Sequence, residues 1–452
     1  MIPGSKSIET KVLKKITPDT TEKKQIKYVI KKLKEQVRKE IKKTKLPITI
    51  ELVGSIAKDT YIRTSVDIDL FLVFPSTVSR EILQEKALTI GRTILEQQEE
   101  CFAEHPYVRG VFRNYKTELV PCYKIEFASQ KLSSVDRTPL HTRYVKKYLN
   151  ESQKKEVRLF KQFLKGIGCY GAEAEIEGFS GYLCEIMIIK YKTFQQLVEN
   201  AQYWRYGEIL ALKEGSFPRF ETPLTFIDPV DSERNVSSAL SNEKFELFIT
   251  ACKEYTKKPR LTFFFPSAIK PWSLEKIKRA VGTNVFICVK LSKPEIIAEN
   301  LYPQIRKAVR SIRELCEQYE FTILDATFSI EKTEIYIVLH PKTLLLSKTV
   351  IHAGPPVILK KNANEFIQKW FDNPKTIKKP FEKNKRLYVE IRREYINIQN
   401  LLVDRIKQLS LGKHIDLIIR KGFRVINHNE LFIENLRLFW TMYLDKRMSW
   451  ER

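Results

Sequence analysis

The sequence predicts a multi-domain protein of the α+β class. With 452 residues, the chain is too long for a single hydrophobic core, and about two to four domains are expected. Helical and strand periodicity occupy separate stretches: residues 18–44 repeat apolar side chains every three or four positions, whereas residues 67–74 read as a strand. Further on, residues 284–291, 305–316 and 321–339 read as strand, helix and hairpin, which predicts a separate α+β unit.

The stretch from Ile48 to Phe74, ITIELVGSIAKDTYIRTSVDIDLFLVF, organises the first half of the chain. An alternating strand pattern ends at Gly54, a residue type that tolerates backbone angles others avoid and lets a ligand approach the backbone closely. Ser55 supplies a hydroxyl and Lys58 a positive charge, and both groups suit phosphate oxygens. The pattern predicts a nucleotide-phosphate turn between two strands.

The second strand of this stretch carries two carboxylates, Asp67 and Asp69. Residues two apart in a strand face the same side, so the two side chains point together. Adjacent carboxylates repel unless a cation lies between them, and Mg²⁺ prefers such hard oxygen ligands. The alternative is a solvated strand face. The Gly54 turn upstream favours the metal interpretation.

The combination of GSxAK and DxD resembles the active-site signature of the nucleotidyltransferase superfamily that includes polymerase β. Further stretches resemble the archaeal (class I) CCA-adding tRNA nucleotidyltransferases. They are HPYV at 105–108, LVPCYK at 119–124, SSVDRTPLHTRYV at 133–145, EVRLFKQFLK at 156–165, YGAE at 170–173, GFSGYLCEI at 178–186, DPV at 228–230, RNV at 234–236 and NLYPQIRKA at 300–308.

The resemblance implies four parts. A polymerase-β-like catalytic head with a mixed sheet and helices is expected over residues 1–145. A helical neck that recognises the nucleotide base follows at 146–258, then an α+β body at 259–374. A helical basic tail that contacts tRNA is expected at 375–452.

The resemblance also implies a third metal-binding carboxylate, at Glu118, in the strand Tyr115–Tyr123. The family normally has Asp at this position, and the extra methylene of Glu moves its oxygens outward. Asp67, Asp69 and Glu118 are expected to be the catalytic residues and to hold two Mg²⁺ ions. The alternative is that Glu118 is a paired surface residue.

Three residues match nucleotide-contacting positions of the family: His141, Lys161 and Tyr170. On sequence alone, each has a structural alternative. His141 could be a core histidine with its hydrogen bonds made, Lys161 a surface lysine whose stem covers apolar groups, and Tyr170 a core tyrosine. Arg234 matches the residue expected to read the base edge of CTP or ATP, for which a planar fork of donors is suited. A salt bridge with Asp231 is the alternative.

The net charge of +25 and the pI near 9.5 favour a polyanionic partner. A lysine-rich genome or an extreme habitat is the alternative source of this charge. The resemblance implies that the partner is tRNA, bound at its acceptor end and its elbow. For the basic tail, a solvated helical segment or a homodimer contact remains an alternative.

The seven cysteines include no C-x-x-C pair and no zinc spacing, which favours a reduced, cytoplasmic protein. No apolar run approaches the ~20 residues of a membrane span, and no secretory signal is expected. Helices are predicted over 79–100 and, as one amphipathic helix, over 180–201. A strand is predicted at 261–265.

The resulting hypothesis is an enzyme that adds C, C and A to the 3′ end of tRNA from CTP and ATP, without a template and with release of pyrophosphate. One alternative is an ATP-only polymerase of the poly(A) or oligoadenylate type. The other is a catalytically weak tRNA-binding protein, in which the replacement of the family's Asp by Glu118 has removed the activity.

Overall fold

The structure, a computed structural model, describes residues 2, 4–63, 65–102 and 105–452. The chain forms two compact units. The first unit comprises Met1–Ala268 with Arg447–Arg452, and the second comprises Ile269–Lys446.

The first unit contains a five-stranded sheet, called the head sheet, and a helical region behind it. Its helices and strands are, in chain order, α1 (Ser5–Ile16), α2 (Thr20–Thr44), β1 (Thr49–Leu52), α3 (Gly54–Ala57), β2 (Asp67–Phe74), α4 (Arg80–Ile94), β3 (Glu96–Phe102), β4 (Pro106–Phe112), β5 (Tyr115–Tyr123), α5 (Thr138–Tyr148), α6 (Glu151–Gly166), α7 (Gly181–Tyr191), α8 (Phe194–Ala201), β6 (Glu208–Leu210), β7 (Leu224–Asp228), β8 (Asp231–Asn235) and α9 (Asn242–Lys257).

The head sheet has the strand order β1-β2-β5-β4-β3. The central pair β2 and β5 runs parallel, and its neighbours pair antiparallel, so the sheet is mixed as predicted. Helices α2 and α4 supply the core on one face, where Val29 and Leu33 of α2 join Leu70 of β2 and Leu119 of β5. The apolar stripe of α2 therefore holds the parallel pair in place.

The helix α2 has a capping box at its start. The Asp19 carboxylate accepts a hydrogen bond from the backbone N–H of Glu22 at 2.9 Å, and the Glu22 carboxylate accepts one from the N–H of Asp19 at 2.8 Å. Reciprocal bonds of this kind satisfy two N–H groups that a helix start leaves unpaired. The helix predicted over 18–44 is confirmed as Thr20–Thr44.

The second unit contains two sheets, with strand orders β10-β11-β9-β15 and β12-β14-β13. Its helices and strands are α10 (Leu274–Val281), β9 (Ile287–Ser292), α11 (Ala298–Gln318), β10 (Ile323–Ile330), β11 (Glu334–Pro341), β12 (Thr349–Pro356), α12 (Lys360–Phe371), β13 (Thr376–Lys383), β14 (Arg386–Arg392), α13 (Ile398–Arg405), α14 (Lys413–Lys421), β15 (Arg424–Asn427) and α15 (Arg437–Leu444).

The helix predicted over 79–100 is too long. It ends at Ile94, because Leu95 takes an extended backbone with φ −92° and ψ 139°. Residues 96–102 instead form β3, which pairs with β4 at the edge of the head sheet. Pairing with β4 outweighs the helical pattern of this segment, a case of tertiary context overriding local preference.

The prediction of one amphipathic helix over 180–201 is wrong in two respects. The segment divides into α7 and α8, because Lys192 adopts a left-handed φ of 69° and Thr193 caps the second helix. In addition, every residue from Leu183 to Ile189 is buried, so α7 is enclosed on all sides. A helix surrounded by protein has no solvent face and needs no polar stripe.

Two further expectations need correction. Residues 261–265, predicted as a strand, begin with a 3₁₀ turn at Leu261–Phe263. The tail, predicted as helical over 375–452, begins with the strands β13 and β14, and its helices start at Ile398. The alternation of buried Leu387 and Val389 with more exposed neighbours is the two-residue period of a strand.

The neck is not wholly helical, because β6, β7 and β8 form a small sheet within it. Across the described ranges, no helix is long and apolar enough to span a membrane. All seven cysteines are buried free thiols.

Candidate active site

The parallel pairing of β2 with β5 sets Asp69 directly opposite Glu118. Because directly paired residues project to the same face of a sheet, both carboxylates lie on one side. Asp67, two residues from Asp69, faces that side as well. The three acids line a cleft of about 510 Å³.

This cleft gathers every site residue that the sequence predicted. Those residues are Gly54, Ser55, Lys58, Asp67, Asp69, Glu118, His141, Lys161, Tyr170 and Arg234. They come from α3 and the residue that follows it, from β2, β5, α5 and α6, from the segment after α6, and from β8. Residues separated by up to 180 positions in the sequence thus face one space.

Gly54 brings the backbone of the phosphate turn against Asp69. Its φ is +70°, in the region that favours glycine, and a Cβ at this position would lie 1.8 Å from Asp69 Oδ2. The N–H of Val53 also donates to the Asp69 carbonyl at 3.0 Å. The turn and the strand that carries Asp69 are therefore in direct contact, with no room for a side chain at position 54.

Asp69 is the acid most affected by its surroundings. Burial, followed by the negative charges of Glu118 and Asp67, raises its pKa from 3.8 to about 7, while Lys58 opposes the shift. A cation between these carboxylates would stabilise their charged forms and lower that pKa. The donor set, three carboxylates with no sulfur or nitrogen, suits a hard divalent cation.

Glu118 is engaged in an ion pair, since Arg109 Nε lies 2.7 Å from its Oε1. The paired residue considered from the sequence is therefore present, but the pairing leaves Glu118 on the same face as Asp69. In the described part of the chain, no three His, Cys, Asp or Glu side chains are already arranged as a metal site. The pair occupies Oε1 of Glu118 and leaves its second carboxylate oxygen available to a cation.

As the pH rises towards 7, the affinity of this cleft for a divalent cation is expected to increase about tenfold per pH unit, and above pH 7 it should level off, because Asp69 must lose its proton to bind the cation. Titration with Mn²⁺ at several pH values, followed by electron paramagnetic resonance, measures this dependence. Asp69→Asn should abolish the pH dependence, and a wild-type affinity that stays constant between about pH 5 and pH 8 would contradict the prediction.

The same shift has a consequence for folding. The folded pKa of Asp69 is above the unfolded value, so without a cation its contribution to stability is lost as the pH rises from 3.8 through 7.

A buried charge network forms the floor of the cleft. The Glu185 carboxylate, fully buried on α7, accepts hydrogen bonds from Lys58 Nζ at 2.5 Å and from Lys161 Nζ at 3.3 Å. The Thr60 hydroxyl donates to the same carboxylate at 2.5 Å. Burial alone would raise the pKa of Glu185, but the two lysines outweigh it and lower the pKa.

Lys161 is 2% exposed, so the surface-lysine alternative is wrong. Sequence reasoning did not single out Glu185, although it left a signal. Glu185 is the one acidic residue in the otherwise apolar segment Leu183–Ile189. A charge enclosed in such a segment is expected to have buried partners.

A second buried carboxylate, Asp228, organises the opposite wall. His141 Nε2 lies 2.8 Å from Asp228 Oδ2, Arg234 Nη1 donates to the same oxygen at 2.9 Å, and the Tyr182 hydroxyl donates to Oδ1 at 3.0 Å. These bonds outweigh burial and lower the pKa of Asp228 to about 2. His141 also stacks on Tyr182, with ring centroids 4.0 Å apart.

The alternative considered for Arg234, a salt bridge with Asp231, does not occur. Asp231 is engaged elsewhere, since Arg137 Nη1 and Lys131 Nζ lie 2.7 and 2.8 Å from its Oδ2. Arg234 pairs with Asp228 instead and keeps an exposed fraction of 31%. Its guanidinium is therefore anchored at one end and accessible at the other.

Tyr170 lies at the junction of the two walls. A Cβ added at Gly181 would be 3.3 Å from the Tyr170 hydroxyl and 3.7 Å from Lys161 Nζ. Burial raises the pKa of this phenol well above its usual range. Tyr170 thus presents a neutral hydroxyl beside the lysine network.

Three family models match successive parts of the chain. They are the nucleotidyltransferase domain over residues 30–141, the second domain of tRNA nucleotidyltransferase over 155–265, and the C-terminal domain of the CCA-adding enzyme over 281–428.

Curated relatives match over most of their length. The chain is 34% identical to a CCA-adding enzyme of Methanosarcina barkeri, covering 92% of this chain and 93% of that protein. It is 35% identical to one of Archaeoglobus fulgidus, covering 86% and 88%. A third, from Thermoplasma volcanium, is also 35% identical, covering 90% of each chain.

Proposed function

The chain belongs to the CCA-adding enzyme family of tRNA nucleotidyltransferases, and on that premise we propose that the cleft of the first unit is its active site. The enzyme adds C, C and A to the 3′ end of tRNA. In each addition, the 3′-hydroxyl of the RNA forms a bond to the α-phosphorus of CTP or ATP. The bond to the β-phosphate breaks, and pyrophosphate leaves.

The observation that carries this assignment is the register of β2 against β5. It places Asp69 opposite Glu118. Asp69 is also two residues from Asp67 along β2 and lies directly beside the Gly54 turn. Nucleotidyltransferases of this superfamily are in general dependent on divalent metal. We propose that Asp67, Asp69 and Glu118 hold two Mg²⁺ ions. In a two-metal site, the bound ions stabilise the entering and leaving oxygens of an in-line displacement.

The remaining cleft residues are proposed to position the nucleotide. Ser55 and the Gly54 backbone face the phosphates, with Lys58 and Lys161 supplying positive charge from fixed places on Glu185. His141 and Tyr170 contribute neutral polar groups on the facing walls. Because these side chains are already held in place, binding loses little conformational entropy in ordering them.

Arg234→Ala is expected to lower the preference for C and A over U and G by about 1–3 kcal/mol, the discrimination that one well-placed arginine fork provides. Its accessible donors are proposed to read the base edge. Single-nucleotide incorporation with CTP, ATP, UTP and GTP measures the change. Arg219→Ala, an exposed arginine of the same unit, is the control. Unchanged selectivity in Arg234→Ala would refute the assignment.

A test of the whole function uses tRNA lacking its 3′ end and one nucleotide at a time. CTP alone should extend the RNA by two residues, and ATP should add one residue only after them. A run of adenosines from ATP alone would indicate the ATP-only polymerase. Binding of tRNA without release of pyrophosphate would indicate a catalytically weak tRNA-binding protein.

We also propose that the tail binds the elbow of tRNA, with the acceptor end in the cleft. Support comes from the β12-β14-β13 sheet, where the half-buried Phe381 and Tyr388 pair with ring centroids 6.0 Å apart. Lys378 Nζ lies 4.5 Å from the Phe381 ring. Aromatic faces beside lysines suit unstacked bases and phosphates of an RNA loop. We place the enzyme in the cytoplasm, in keeping with its unpaired thiols.

A further inference from the structure

We propose that the first unit has a second nucleotide-binding site, behind the phosphate turn, in a cleft formed by α2, β1, α3 and the end of α5. This site, called the α2 cleft, has a volume of about 610 Å³. Its ligand is a free nucleoside triphosphate. None of the carboxylates of the active site lines it.

The floor of the α2 cleft is apolar. It consists of Ile26, Ile30, Ile50, Leu52 and Ile56. Small-molecule sites of roughly 300–1,000 Å³ are usually apolar with a few charged groups at fixed places. A base and ribose would cover such a floor, and the volume accommodates one nucleotide.

The rim of the cleft is positively charged and largely unpaired. Lys27, Lys34 and Lys146 line it, and no ion pair involves any of them among the described residues. Lys23 also lines the cleft, but it pairs with Asp59 at 3.0 Å, and Lys43, outside the cleft, pairs with Glu40 at 2.7 Å. Lys27 and Lys34 are therefore the cleft lysines of this helix without an ion pair in the ranges that the structure describes.

Lys34 is the centre of this charge. Burial, Arg38 and Lys146 all lower its pKa, and no acid opposes them. Two carboxylates do line the cleft, Asp59 and Glu51, and Asp59 is already occupied by Lys23 and Arg158. The lining therefore has an excess of positive charge that a phosphate group would neutralise.

The placement of the charges favours a free nucleotide over an RNA strand. A strand needs cations spread along an open track, whereas Lys27, Lys34 and Lys146 all line one cleft. Ile56 and Ala57 of α3 line it, on the same short helix as Gly54 and Ser55 of the active site. A ligand here would contact the back of the turn that faces the catalytic cleft.

The test measures ATP bound per chain by equilibrium dialysis with radiolabelled ATP in the absence of tRNA, so that no incorporation occurs. The wild type should bind about two ATP molecules and Lys34→Glu/Lys146→Glu about one. The control, Lys24→Glu/Lys42→Glu, makes the same charge change at exposed positions of α2 outside the cleft and should keep both sites. Lys34→Gln/Lys146→Gln provides a milder variant if the first one unfolds.

A wild-type stoichiometry of one would overturn the proposal, as would equal losses in the variant and its control. If the wild type binds one ATP and the cleft variant instead loses tRNA affinity with a reduced salt dependence, the cleft binds RNA and the free-nucleotide assignment is wrong. Because the readout is binding, this test stands apart from the incorporation assay for the active site.

Discussion

Asp69→Asn is expected to reduce nucleotide incorporation by about 10³-fold or more while leaving tRNA binding close to the wild-type level. The substitution keeps the shape of the side chain against Gly54 and removes the charge that faces Glu118 and Asp67. Metal ions supply several kcal/mol of transition-state stabilisation, and each ~1.4 kcal/mol corresponds to a factor of ten in rate. Single-turnover incorporation and a gel-shift titration with tRNA measure the two properties separately.

The control for this substitution is Asp372→Asn, which changes an exposed carboxylate of the second unit and should leave both properties unchanged. Equal losses of incorporation and tRNA binding in Asp69→Asn would indicate that Asp69 has a structural role. Retention of full activity would exclude Asp69 from the metal site.

Glu185→Gln is expected to destabilise the protein by about 3–5 kcal/mol, because removing one partner of a buried ion pair leaves the other charge without compensation. Here two buried ammonium groups, those of Lys58 and Lys161, share the carboxylate. Urea unfolding of the full chain, followed by the fluorescence of its five tryptophans, measures the loss.

Two comparisons make this prediction specific. Glu246→Gln, an exposed position on α9, should change the stability by less than about 0.5 kcal/mol. Combining Glu185→Leu with Lys161→Met removes one charge of each sign from the network and should recover part of the loss. A Glu185→Gln variant as stable as the control would show that the network contributes nothing to stability.

Short-range periodicity predicted the elements that form the catalytic cleft. The strand with Asp67 and Asp69 has its predicted bounds, residues 67–74. There, local pattern and tertiary environment favour the same structure.

The predictions that failed concern segments whose structure is set by tertiary contacts. Residues 96–102 pair as an edge strand although their pattern extends the preceding helix, and α7 lacks a polar face because protein surrounds it. The sequence also could not decide between Asp231, the alternative partner considered for Arg234, and Asp228. Both aspartates are near Arg234 along the chain, and only the tertiary structure pairs Asp228 with His141 and Arg234, and Asp231 with Arg137.

The close approach of Gly54 to Asp69 limits how this protein can vary. A library with all twenty amino acids at position 54, selected for activity, should return glycine alone, because even the smallest side chain would overlap the Asp69 carboxylate and would also occupy an unfavourable φ. A shorter side chain at position 69 cannot relieve the overlap without removing the carboxylate that we propose binds the metal ions. The two positions can therefore change only together, and any such joint change would have to rebuild the proposed metal site.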